Sequence, residues 1–319
     1  MKDRISRRGF VKGAALASAG AAWVQPASAA DSTPPAGSPP APKPAESLPT
    51  GRIKGVEFSR LMLGGNLVSG YAHSRDLGYV AHLMKHYNTE AKIRETLELA
   101  EQHGINAINL TVWDKEAAIL QQHWKNGGKI KLIAQALPGQ QGELDQFKKA
   151  IDIGAAAVHI QGHGAEKLWE DKRIDVIGRI VDFVKAGKIL AGVAAHSLDV
   201  IRECVAAGID ADFYQKTLHT HQYYSAPRGD ETGFLGKFDN SWCNNPEEVV
   251  DFMHTVKKPW IAFKVMAAGA IPPERAFPFA FDSGADFVLA GMFDWQIAED
   301  VAIARRALSG TTRTRPWLA

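Results

Sequence analysis

The feature that most constrains this chain is a rhythm. From residue 52 onward a short apolar run gives way to a longer amphipathic stretch, and the pair recurs eight times. A continuous apolar run suits a strand covered on both faces, and a 3.6-residue periodicity after it suits the covering helix, so repeated βα units around a parallel sheet are expected. Strands are predicted over 60–65, 106–110, 131–137, 156–162, 191–196, 213–218, 260–266 and 286–292. Helices are predicted over 91–103, 143–153, 174–186, 198–207, 246–256 and 296–308. Gly104, Gly154, Gly187, Gly208 and Gly284 stand where helices should stop, each read as a left-handed residue leading into the next strand. Eight units in about 255 residues match a single (β/α)8 TIM barrel. A doubly wound sheet is the alternative, but Gly64-Gly65-Asn66 is too little for a dinucleotide fingerprint.

Ahead of the barrel, Ser6-Arg7-Arg8-Gly9-Phe10-Val11-Lys12, a mild apolar run over 13–24 and Ala27-Ser28-Ala29 make the three parts of a twin-arginine signal peptide, in order. The expected domains are that signal over 1–29, a Pro-rich disordered tether over 30–51, the barrel over 52–310 and a C-terminal tail over 311–319. Seven prolines between 31 and 50, with almost no large apolar side chain, leave the tether nothing to bury. The expected location is therefore periplasmic or extracellular, with the Tat export machinery as partner and any cofactor loaded in the cytoplasm before export. No lipobox cysteine follows the signal, and no run reaches the roughly 18 to 20 apolar residues of a membrane span, so no stable membrane insertion is expected after cleavage. Lys and Arg (37) balance Asp and Glu (35) without a clustered basic face, which argues against nucleic acid. Cys204 and Cys243 could pair in an oxidising compartment, although Cys204, on an apolar helix, reads as a buried free thiol.

Barrel chemistry sits on the loops after the strands. Two of these are long, 66–88 and 219–245, and carry His73, Arg75, Asp76, Tyr223, Tyr224 and Trp242. Strand alternation points His159, Gln161 and His163 inward from the fourth strand, Gly192, Ala194 and His196 from the fifth, and Phe213, Gln215, Thr217, His219 and His221 from the sixth. His163, His196 and His219 thus end three consecutive strands, where imidazoles can divide acid and base roles or, with His221, ligate a divalent metal. Gln161 joins them as a catalytic candidate. Asn66, His73, Asn109, Gln135, Gln215, Tyr223, Tyr224 and Trp242 are the candidates for binding a small-molecule substrate. Lys216 and Lys264 suggest a Schiff-base nucleophile, but alternation turns Lys216 toward the helices.

Over 182–201 (DFVKAGKILAGVAAHSLDVI), 60–65 (RLMLGG), 100–106 (AEQHGIN), 260–269 and 286–292 the chain resembles the aldo/keto reductase superfamily. That resemblance implies a catalytic tetrad of Asp, Tyr, Lys and His, but the first three positions fall on Asn109, Asp114 and Gln135, and only the histidine is kept, as His163. It also implies that Gln215 and Phe263 would meet a nicotinamide if one is bound. Ala195 and His196 replace the family's fifth-strand Ser and Asn, and Phe293-Asp294-Trp295 stands where a basic residue usually meets the 2′-phosphate. The site lacks the reductase's general acid, and Asp294 would repel the phosphate, so NADP(H) is disfavoured and a divalent metal remains a candidate. The expectation is an exported reductase-like barrel enzyme acting on a small carbonyl or sugar-type (keto-sugar) substrate. Its chemistry would be histidine acid/base or metal-assisted, of isomerase, lyase or hydrolase type. Two alternatives stay open: a true NAD(P)-dependent oxidoreductase exported with bound cofactor, and a non-catalytic periplasmic sugar-binding barrel.

Overall fold

A computed structural model describes residues 47–139, 142–227 and 240–319. The signal segment over 1–29 and most of the 30–51 tether lie outside the described residues. The described chain opens on an antiparallel hairpin, β1 (Thr50–Ile53) and β2 (Val56–Ser59). Eight parallel strands then close a barrel in chain order: β3 (Leu61–Gly64), β4 (Ala107–Thr111), β5 (Lys131–Ala136), β6 (Ala157–Ile160), β7 (Leu190–Ala195), β8 (Phe213–Thr217), β9 (Trp260–Phe263) and β10 (Phe287–Ala290). The last pairs back onto the first, Val288 opposite Leu61. This is the TIM barrel expected from the rhythm of the sequence.

The helices are α1 (Asn66–Ser69), α2 (Tyr79–Tyr87), α3 (Glu90–Gln102), α4 (Asp114–Lys125), α5 (Asp145–Asp152) and α6 (Gly162–Glu170), followed by α7 (Ile174–Ala186), α8 (Leu198–Ala206), α9 (Pro246–Thr255), α10 (Pro273–Asp282) and α11 (Ile297–Ser309). Among the described residues, none is long and apolar enough to cross a membrane. Four of the five expected glycine stops are left-handed; at Gly187 the backbone stays near the helical region, and Lys188, at φ +58°, takes the left-handed turn instead.

Alternation along each strand separates two apolar layers. Val158, Ile160, Val193, Tyr214 and Val288 join the large core beneath the helices. Met62, Ala107, Ile133, Ala157, Leu190, Phe213, Ile261 and Phe287 fill the barrel with Ile53 and Phe58 of the hairpin. Gly192 makes room for this filling, because a Cβ there would lie 2.4 Å from the Phe213 ring. The hairpin plugs the end of the barrel where the strands begin, with Phe58 edge-on to Phe287 and Lys54 paired to Asp212 at 2.5 Å. The tail seals the same end. Buried Asp286, just before β10, accepts from Arg315 Nη1 at 2.7 Å, from the N–H of Trp260 at 2.9 Å and from that of Leu318 at 2.8 Å. Arg60 lies over the Trp317 ring at 3.9 Å and donates to the carbonyl of Ala319. Above the apolar filling sits a polar layer in which Asn109 Nδ2 meets His159 Nε2 at 2.7 Å and Gln215 Oε1 at 3.2 Å. The opposite end, beyond the strand C-termini, holds the cavity.

Candidate active site

β6 stops at Ile160, sooner than its sequence suggests. Gln161 caps α6, and Gly162 is already helical. His163 therefore stands on the first turn of a helix rather than on a strand, and Glu166, three residues on, shares its face. Glu166 reaches across to the loop after β7. Its Oε1 accepts the backbone N–H of His196 at 2.6 Å and of Ser197 at 2.8 Å, and its Oε2 lies 3.1 Å from His196 Nδ1. Gly162 lets the imidazole sit against the helix start, since a Cβ there would come within 2.8 Å of His196 Cε1. His163 Nδ1 lies 3.6 Å from Glu166 Oε2, and its side chain is 63% exposed where that of His196 is 5% exposed.

The charges of this pair follow from burial. Burial pushes His196 down to about 4, opposed by the hydrogen bond and charge of Glu166, while Lys264 and His163 add to the lowering. Burial also works against the Glu166 anion, but the His196 hydrogen bond and charge and the two backbone N–H groups outweigh it and hold the carboxyl below its ordinary range. At neutral pH an ionised carboxylate faces a neutral imidazole. A carboxylate can only accept, so Nδ1 carries the ring proton and Nε2 is left with a lone pair.

Trp242 is the centre of the site. Its ring lies 4.6 Å from His196, 5.8 Å from His163 and 5.2 Å from His73, with Lys264 Nζ 3.8 Å from its centroid. His73 Nε2 is 2.8 Å from Lys264 Nζ and 3.1 Å from Asn66 Nδ2. The sixth-strand histidines hold Trp242 in place. His219 is fully buried, with Nε2 accepting the N–H of Trp242 at 2.9 Å and Nδ1 donating to the carbonyl of Thr220 at 3.0 Å. His221 Nε2 donates to the carbonyl of Cys243 at 2.7 Å, and the Tyr223 hydroxyl donates to the carbonyl of Asn240. Thr217 Oγ1 sits between Lys216 Nζ, the carbonyl of His196 and that of Trp242.

A cavity of about 940 Å³ opens over these groups. It is lined by Asn66, His73, Asn109, Gln135, Gln161, His163, His196, Gln215, Trp242 and Phe263, all of which the sequence had pointed out. His219, His221, Tyr223 and Tyr224 do not line it, and the expected quartet of histidine ligands does not assemble. β8 ends at Thr217, so the alternation that carried His219 and His221 inward no longer applies beyond it. Tyr224 is 94% exposed. Lys216 is buried outside the cavity, whereas Lys264 lines it. Asp114, at the reductase tyrosine position, is exposed and bound to Lys149. The reading of the sequence missed Glu166, behind His196, and the apolar rim residues Tyr71, Leu83, Tyr87 and Trp113. The signal for Glu166 was H-x-x-E at helical spacing.

No protein-family model and no curated protein matches the chain. Solved structures do. A Pseudomonas aeruginosa protein described as an aldo-keto reductase superposes with a TM-score of 0.55 at 15% identity, covering 83% of this chain and 98% of its own. Gox0644 gives 0.53 at 10%, covering 85% and 96%. The 3-deoxy-D-arabino-heptulosonate 7-phosphate synthase of Thermotoga maritima gives 0.50 at 10%, covering 83% and 94%. The fold is thus a TIM barrel of the kind shared by these aldo-keto reductase structures and this synthase. Identities this low speak to the fold alone.

Proposed function

We propose that the protein is an acid–base enzyme acting on a small carbonyl or sugar-type substrate, with His196 Nε2 as the base. The observation that carries this reading is that His196 lines the cavity with Glu166 behind it, 3.1 Å from Nδ1. Glu166 fixes the tautomer and supports the imidazolium that forms when Nε2 takes a proton, the relation that makes an oriented histidine a useful base. Lys264 Nζ, in the same cavity, is a donor for the carbonyl oxygen on which charge develops. Amides at Asn66, Gln135 and Gln161 can meet hydroxyl groups, and Tyr71, Trp113 and Trp242 offer faces to the apolar side of a sugar ring. Proton abstraction beside a carbonyl, leading to isomerisation or elimination, is the reaction this set suits. The exported location read from 1–29 belongs to the same proposal.

The 2′-phosphate of NADP(H), the cofactor that the fold resemblance implies, does not fit the groups present at its position. Asp294 is held below the ordinary carboxylate range, burial notwithstanding, by Tyr87 and Lys92, and so remains an anion at the loop where a 2′-phosphate would bind. Lys92 is shared with Glu95. Phe263 on the cavity wall is the observation that favours the oxidoreductase reading.

The test is solvent deuterium exchange. Incubated in D2O with a panel of keto-sugars and aldoses, the barrel should wash deuterium into the carbon beside the carbonyl, and His196→Ala should lower that rate at least about 100-fold with the fold intact. Saturable binding without exchange would make the barrel a binding protein. Nicotinamide absorbance released from purified protein, with hydride transfer, would make it an oxidoreductase.

A further inference from the structure

The two oxygens of Glu166 have different surroundings. Oε1 accepts the two backbone N–H groups and lies 3.2 Å from His196 Nδ1, while Oε2 lies between imidazoles, 3.1 Å from His196 Nδ1 and 3.6 Å from His163 Nδ1. One ligand atom from each of His163, Glu166 and His196 lies within 4.8 Å of the other two, and among the described residues no other triple of His, Cys, Asp or Glu does so.

We infer that these three residues form a binding site for a divalent transition ion of the zinc class, open to the cavity at its remaining positions. The inference rests on the reading of this pocket as a catalytic one for its location, not for its chemistry. Zinc bonds of 2.0 to 2.1 Å at tetrahedral angles set ligand atoms about 3.3 Å apart. The 3.1 and 3.6 Å separations bracket that value. The third pair, His163 and His196, has ligand atoms within 4.8 Å of each other, and a small turn of the 63%-exposed His163 side chain would bring them to the same spacing. Two imidazoles and one carboxylate suit zinc, cobalt or nickel better than magnesium or calcium, which prefer all-oxygen sets. Three protein ligands with an open position is the arrangement of catalytic rather than structural zinc. The backbone N–H groups on Oε1 are the outer support that keeps such a carboxylate aimed. The ion takes the place of the His196 Nδ1 proton, and that proton leaves to solvent. In the loaded form an ion-bound water, rather than Nε2, is the base facing the cavity.

The test is cobalt(II) titration of the chelator-stripped chain, read as visible absorption, with zinc calorimetry alongside. One ion per chain should bind in the micromolar range or tighter, with the intense visible bands of a four- or five-coordinate site. His163→Ala changes an exposed side chain and should weaken binding about 100-fold, and Glu166→Gln at least as much. His254→Ala, whose ring is bonded to the Ser283 carbonyl away from the cavity, should leave binding unchanged. Absence of stoichiometric binding at about 100 μM ion, near −5.5 kcal/mol on the affinity scale, would overturn the inference. So would binding that His163→Ala leaves untouched. Deuterium exchange by the stripped chain, with no ion bound at any concentration tried, would remove the metal site and leave the acid–base reading standing. Stoichiometric cobalt binding without turnover would do the reverse.

Discussion

A carboxylate that accepts two backbone N–H groups and an imidazole proton is hard to replace by anything of its own size. Glu166→Gln keeps the volume and can still offer one oxygen to the N–H groups of His196 and Ser197. Its amide then turns two protons toward His196 Nδ1, which must give up its own. The ring proton moves to Nε2, and the base is lost. We expect turnover to fall about 10²- to 10⁴-fold, the range for losing a general base, with a melting temperature within a few degrees of the parent. Nitrogen-15 shifts of the imidazole would report the tautomer directly, and an unchanged Nε2 lone pair would refute the account. At this scale much of the site was legible: ten residues chosen from strand ends and long loops line the cavity. Glu166 was not. Alternation was extended through Gln161 to His163, and the i, i+3 spacing acquires meaning only once Gly162 is known to begin a helix.

Elements whose pattern is dictated by burial on both faces were read to within a few residues, because the barrel leaves strands such as β7 and β10 no polar face to blur them. The misses each have a local cause. α10 starts at Pro272-Pro273, where proline gives up only an N–H with no helical partner, but Pro278 lies inside the helix, where proline forgoes a helical hydrogen bond and reads as a breaker. α2 lies inside a segment read as loop, and its cap, Gly78, supplies no side-chain hydrogen bond. The hairpin β1–β2 carries its apolar residues singly, as Ile53 and Phe58, so no strand was expected there: Thr50 and Gly51 fell at the end of the expected tether and the rest ahead of the first expected strand. It is the plug of the barrel, and Phe58 is fully buried. Phe58→Ala should cost about 3 to 5 kcal/mol, the usual toll of removing a buried aromatic ring, measured by urea denaturation. Cobalt binding at the far end should not change. A loss below about 1 kcal/mol would mean the hairpin is a dispensable strap rather than part of the core.

Burial that keeps one imidazole neutral for chemistry is repeated through the whole barrel, and it gives the molecule a pH dependence. His159, His196 and His219 are each pushed from 6.5 to about 4, burial being the leading cause in every case. Unfolded, all three would take up protons near pH 6.5, so between 6.5 and 4 the unfolded chain binds more protons than the folded one and stability falls as pH falls. Asp300 works the other way: burial raises it to about 6, so the folded chain holds its proton where an unfolded Asp, near 3.8, would not. Three protons against one leave a slope of about 3 kcal/mol per pH unit at its steepest. The melting temperature should therefore be flat above pH 7 and drop steeply from about 6.5 toward 4.5. Activity should follow a different curve, because the base in the folded enzyme titrates near 4. At low temperature, where the fold survives mild acid, kcat/KM for deuterium exchange should hold level down to about pH 5. An acid limb near 6.5 under those conditions would show that His196 is hydrated, or is not the base, and would separate the loss of chemistry from the loss of fold.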